Sequence, residues 1–277
     1  MNGDDGAAIA AAFRAACAAE LDAPKPGNVH RFAAGHGMIV ADFTRSAEAA
    51  ALALIERGAP LGRRILGAVA ATRAAVGQNT NLGIILLCAP LAMAAEYRGD
   101  LRANVARILA AATLADAEAV FRAITLAAPG GLGSAARHDV RAPARVSLFV
   151  AMAEAAPRDL IARQWVTGLA DIFDLGLPAL ATWGGRAWPA LAPYFVFLSA
   201  FPDSHVARKH GAAAAEALRR EAATWYPRLA LTPDPRALLP ALLAWDAELK
   251  RDGLNPGTSA DLTVASLFAE RLLQWHH

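Results

Sequence analysis

The sequence has little of what marks a sheet, a membrane span or a disulfide scaffold. Two of its 277 residues are cysteine, Cys17 and Cys88, set in apolar helical runs without CxxC spacing. That excludes a disulfide framework and a cysteine zinc site, and a reducing compartment is expected. The longest apolar run, LGIILLCAPLAMAA at 82–95, is shorter than the ~18 residues a span needs and contains Pro90. The opening MNGDDG has two acids and no basic region, unlike a secretory signal. A cytoplasmic protein with no membrane partner is expected. Lys+Arg 27 against Asp+Glu 25 leaves a net charge of +2, which excludes nucleic-acid binding by bulk electrostatics. No stretch alternates with period two, and Val, Ile, Thr and Tyr never cluster, so a sheet is excluded as well. Only three residues are lysine and six are asparagine.

Alanine (71 residues), leucine and arginine (24 residues) dominate instead, and apolar residues recur at three- and four-residue intervals. Hydrophobic residues at 56% against 19% charged residues exclude disorder. The pattern predicts an all-α fold. We expect one domain over 1–277, a bundle of about twelve helices at about 6–22, 44–58, 60–76, 81–97, 101–112, 114–127, 145–155, 158–175, 187–200, 211–225, 236–250 and 259–275. Asp100 and Thr113 suit N-caps, Gly77 and Gly253 suit C-terminal caps, and Pro157 suits a first helical turn. No fixed-period repeat or heptad seam is present, and exposed apolar helix faces would suit a homodimer.

The scarce lysines and asparagines fall where the helices are interrupted. Lys25, Asn28, Asn79, Asn81, Lys209 and Asn255 all lie in junctions punctuated by Gly, Pro or His. The first junction, PKPGNVHR at 24–31, sets Lys25, His30 and Arg31 around a turn at Gly27 and Asn28, as a phosphate clamp or a solvated loop would. Asp42 then precedes a helix and suits a cap. GQNTNLG at 77–83 places Asn79, Thr80 and Asn81 at the mouth of an apolar helix, more polar side chains than one cap needs. FPDSHVARKHG at 201–211 gathers Asp203, His205, Arg208, Lys209 and His210. Its histidines are five apart, which suits no common zinc spacing. LNPGTSADL at 254–262 brings Gly257, Thr258, Ser259 and Asp261 to a helix start, where free N–H groups favour either a cap or a bound phosphate. The glycine-rich stretch 129–140 lacks the GK[ST] ending of a P-loop.

Taken in order, PKPG, the downstream ADF, GxNT, PDSHVARKHG and PGxSADL resemble the motifs of the triphosphoribosyl-dephospho-CoA synthase family across nearly the whole chain. The resemblance implies an all-helical transferase that moves the triphosphoribosyl group of ATP to the ribose hydroxyl of dephospho-CoA, releasing adenine, with Mg²⁺. It implies catalytic roles for Asp42 and Asp203, metal roles for Asp42, Asp203 and Asp261, and substrate or phosphate contacts from Lys25, Gly27, Asn28, His30, Arg31, Asn79, Thr80, Asn81, His205, Lys209, His210, Gly257 and Ser259. The chain departs from the family at GxNT, which continues Asn81-Leu82-Gly83 where His-Lys-Gly is usual. A divergent member acting on another acceptor, for instance in one-carbon cofactor synthesis, is therefore an alternative. A Mg²⁺-dependent nucleotide glycohydrolase and a non-catalytic binding protein are two others.

Overall fold

The computed structural model describes residues 3–135 and 137–275. Among them the helical period closes into fourteen α-helices. In order these are α1 (Gly3–Asp22), α2 (Val40–Leu54), α3 (Leu61–Val76), α4 (Leu82–Ala94), α5 (Leu101–Ala110), α6 (Leu114–Ala127), α7 (Leu148–Ala155), α8 (Leu160–Thr167), α9 (Leu177–Trp183), α10 (Leu191–Ala200), α11 (Ser204–His210), α12 (Ala212–Leu231), α13 (Leu239–Arg251) and α14 (Gly257–Trp275). A π-helical turn (Ile172–Gly176) leads into α9 and a 3₁₀ turn (Pro235–Leu238) into α13. No strand occurs among the described residues, only two isolated bridges within 30–38.

Two helices form the centre, each for a sequence reason. The α4 stretch LGIILLCAPLAMA is apolar on all sides, so it has no face to give to water and is buried. The α14 helix carries small hydroxyls instead, and buries them by bonding back along itself. Thr263 Oγ1 donates to Ser259 O (2.8 Å) and Ser266 Oγ to Leu262 O (2.9 Å). Around this pair, α14 packs on α1, α4 and α10, while α2, α3 and α6 form an adjoining layer. Pro90 does not end α4. Lacking an N–H, it leaves Leu86 O without its helical donor, and the buried Trp165 Nε1 donates there at 3.2 Å.

Several expectations are corrected. The helix expected at 158–175 breaks into α8, a left-handed Gly168 and the π-helical turn. Pro157 lies before Asp159, which is the true N-cap of α8. The junction 201–211 is itself mostly helical, as α11. The last helix starts at Gly257, which moves Asp261 from the first turn to the second. Asp100 and Thr113 cap as expected, with Thr113 and Asp116 forming a reciprocal capping box. None of the described helices is long and apolar enough to cross a membrane.

Candidate active site

A cavity of about 790 Å³ opens where the starts of α4, α11 and α14 meet the end of α1. Its volume lies within the ~300–1,000 Å³ typical of small-ligand sites. The N-terminal approach to α14 is the hub, because three other junctions pack against it. Gly27 has φ +81, and a Cβ there would stand 2.8 Å from Pro256 Cδ, so only glycine lets PKPG meet NPG. Beside it, Asn28 Nδ2 donates to Asn255 Oδ1 (2.9 Å). From the second junction, Gly83 lies so close to α14 that a Cβ would overlap the Asp261 carboxylate. From the third, the His205 imidazole lies over Gly257, and His205 N donates to Thr258 Oγ1 (3.2 Å).

Eight of the sixteen residues to which the resemblance gives a role come together on this cavity: Asn28, Asn79, Thr80, Asn81, His205, Lys209, Gly257 and Asp261. Three of them have polar atoms left over. Asn81 is 5% exposed and its Nδ2 has no hydrogen-bond partner among the described residues. The same holds for His205 Nε2. Burial and the neighbouring Lys209 and Arg208 lower the His205 pKa to about 3, so the imidazole is neutral. Asp261 makes no hydrogen bond or ion pair with any described residue, and burial raises its pKa well above the ordinary carboxylate range. A buried polar group without a partner costs about 1–3 kcal/mol. Leaving several on one wall is a cost that a ligand can remove.

The other eight are engaged elsewhere. Asp203 is fully buried and caps two helices at once. Its Oδ1 accepts from His205 N (2.9 Å) and Val206 N (3.2 Å), and its Oδ2 from Ser259 N and Ser259 Oγ (both 2.8 Å). Burial raises its pKa against the pull of those four bonds. Ser259 is thereby occupied too. Lys25 is buried beneath Glu20. His30 is buried with Nε2 3.3 Å from Asp246 Oδ1, and burial lowers its pKa. Arg31 is an exposed partner of Asp22 outside the cavity, and His210 Nε2 lies 3.1 Å from Gly253 O. Asp42 accepts from Ile39 N (3.0 Å), pairs with Arg45 (2.9 Å) and touches the rim only through Gln78 (3.4 Å). The three carboxylates assigned to Mg²⁺ therefore do not converge, and no group of three metal-ligating side chains forms among the described residues. Only Asp261 of that set lies in the cavity.

Sequence reasoning missed two acids. Asp246 on α13 clamps the first junction, accepting from Gly27 N (2.9 Å) and pairing with Lys250 (2.9 Å). Nothing local in the sequence points to it. Glu20 lines the cavity from the last turn of α1, where the helix dipole disfavours an acid, and that misplaced charge was a readable signal. The glycine-rich stretch also walls the cavity, through residues that include Gly130 and Gly133. It is held there by Arg208 Nε donating to Gly130 O (3.2 Å).

The model of the CitG family, ATP:dephospho-CoA triphosphoribosyl transferase, matches residues 6–277. No curated protein and no solved structure matches the chain.

Proposed function

Because the chain belongs to the ATP:dephospho-CoA triphosphoribosyl transferase family, we propose that it transfers the triphosphoribosyl group of ATP to the ribose hydroxyl of 3′-dephospho-CoA within the cavity at the N-termini of α4 and α14, releasing adenine. The bond from the ribose C1′ to the adenine nitrogen breaks, and a bond from C1′ to the acceptor oxygen forms. The proton that the hydroxyl gives up leaves with adenine. One observation carries the assignment to this cavity. Residues of two of the family-like motifs, Asn79, Thr80, Gly257 and Asp261, share its wall with Asn81 and His205 groups that have no partner among the described residues.

The residues divide the work by chemistry. Lys209, Arg73 and Arg158 stand at the wall as cations for a polyphosphate. The N-terminal end of α4 suits the same anion, whereas in the first turn of α14 the Gly257, Ser259 and Ala260 N–H groups are already bonded within the protein. Asn79, Asn81 and the Asn28–Asn255 pair offer neutral amides to base and sugar. Asp261, a carboxyl without a partner among the described residues, is placed to take the proton of the attacking hydroxyl and pass it to the departing adenine, a task for which a raised pKa is suited.

A different acceptor on the same scaffold is favoured by Asn81 and Leu82. A buried amide and a buried leucine stand where the family motif usually brings an imidazole and a cation, which suits a less anionic acceptor. The test is to incubate the protein with Mg²⁺-ATP and dephospho-CoA, omit each in turn, and follow adenine by mass. Adenine with a mass-shifted CoA product is the expected outcome. Adenine only with another acceptor points to the divergent transferase, adenine without any acceptor points to a glycohydrolase, and no adenine under any condition overturns the transfer reading.

A further inference from the structure

The buried pair at the end of α1 does something that neither packing nor phosphate binding explains. Glu20 is 4% exposed and lines the cavity. Lys25 is fully buried behind it. Its Nζ donates to Glu20 O (2.9 Å) and Val29 O (3.0 Å) and pairs with Glu20 Oε1 (3.0 Å). An ammonium has three N–H groups and no lone pair, so three acceptors saturate it. That geometry keeps Lys25 charged and Glu20 a carboxylate, although burial pushes the Glu20 pKa up and that of Lys25 down. Lys25 therefore has no N–H left for a ligand phosphate, and its charge acts only through Glu20.

A fixed carboxylate in a cavity proposed to take a triphosphate repels the bound substrate. It becomes favourable only when positive charge appears beside it. Loss of the base from a ribosyl carbon creates that charge, because the transition state has oxocarbenium character. A group that helps only then raises turnover without aiding binding. We propose that Glu20 is a catalytic carboxylate of this chain, facing the ribosyl carbon and stabilising its developing positive charge, with Lys25 as its positioning residue. The inference rests on the transfer reading. Glu20 forms no bond and moves no proton in it. The electron pair of the C1′–N bond leaves with adenine, the acceptor oxygen supplies the new pair, and its proton leaves with adenine.

The test is Glu20→Gln, which keeps shape and removes charge. Adenine release at saturating ATP should fall by about 10²–10³-fold. ATP affinity, measured by titration calorimetry, should stay equal or tighten because a repelling charge is gone. With [1′-²H]ATP the secondary isotope effect should grow as bond cleavage becomes limiting. Glu20→Asp, which keeps charge but withdraws it, should lose turnover with an unchanged KM, and it covers the case in which the Gln variant does not fold. Weakened ATP binding with turnover retained would overturn the proposal, as would full activity of Glu20→Gln beside an active wild type. No adenine from the wild type with any acceptor would instead overturn the transfer reading, and this role with it.

Discussion

The two sides of the α14 N-terminus treat buried polar groups in opposite ways. On the α11 side, Asp203 uses both oxygens on four donors and binds two helix starts into one unit. On the α4 side, a few residues along, Asp261 has no hydrogen-bonding partner among the described residues, and Asn81 Nδ2 on the same cavity has none among them either. Both carboxyls come from motifs that read alike in sequence, a single Asp in a Gly/Pro/Ser junction. Satisfied groups hold the fold, and unsatisfied groups on a cavity wall await a ligand. The difference separates saturated from ligand-ready groups more sharply than residue type does.

The strongest way to break this comparison is Asp261→Asn. Adenine release should fall by at least ~10³-fold, about 4 kcal/mol of barrier. Stability should move the other way. A carboxyl whose folded pKa is raised contributes stability below its unfolded value of about 3.9 and loses it as pH rises through the folded value. The Asn variant escapes that loss, so its melting temperature should gain on the wild type's as pH rises above about 4 and until the folded carboxyl has ionised. Thermal melts of both proteins across that range check the sign. A variant less stable than wild type at every pH contradicts an unpartnered Asp261.

Asp203→Ala should do the reverse. Four buried donors lose their acceptor, and unfolding free energy should drop by ~3 kcal/mol in a denaturant titration. Turnover per folded molecule should change by less than about tenfold. If the variant is as stable as wild type but inactive, Asp203 belongs to the chemistry after all. Lys209→Ala comes next in size. Loss of one charge-assisted contact should raise the KM for ATP by about tenfold, roughly 1.4 kcal/mol, with kcat little changed. Steady-state kinetics at several ATP concentrations separates the two constants. Arg31→Ala should do least. An exposed ion pair contributes at most about 1 kcal/mol, and both melting temperature and KM should stay near wild type. A large rise in KM there would restore the clamp reading of the first junction.

Much of this molecule is legible in the residues alone. Three- and four-residue spacing specifies helices wherever it runs, and Asp100, Thr113 and Gly77 end them by local chemistry that needs no partner. The junctions that build the cavity are also legible, because scarce Asn and Lys gather there with Gly and Pro. The direction each side chain takes from its junction is not. Lys25 and Lys209 are both junction lysines, yet one is sealed under Glu20 and the other stands at the cavity wall. Asp246, some 220 positions from Gly27 in sequence (|i−j| of 219), could be found only by folding.

The sequence by itself therefore determined the all-helical class, most helix ends and which short segments interrupt the helices with scarce polar residues, since each depends on interactions within a few residues. The tertiary structure alone decided which carboxyl is saturated and which is bare, that Gly83 and Gly257 leave room for Asp261 and His205, and that an acid at the end of α1 completes the wall. A side chain's partners and its exposure are set by distant elements, and no local pattern along the chain encodes them.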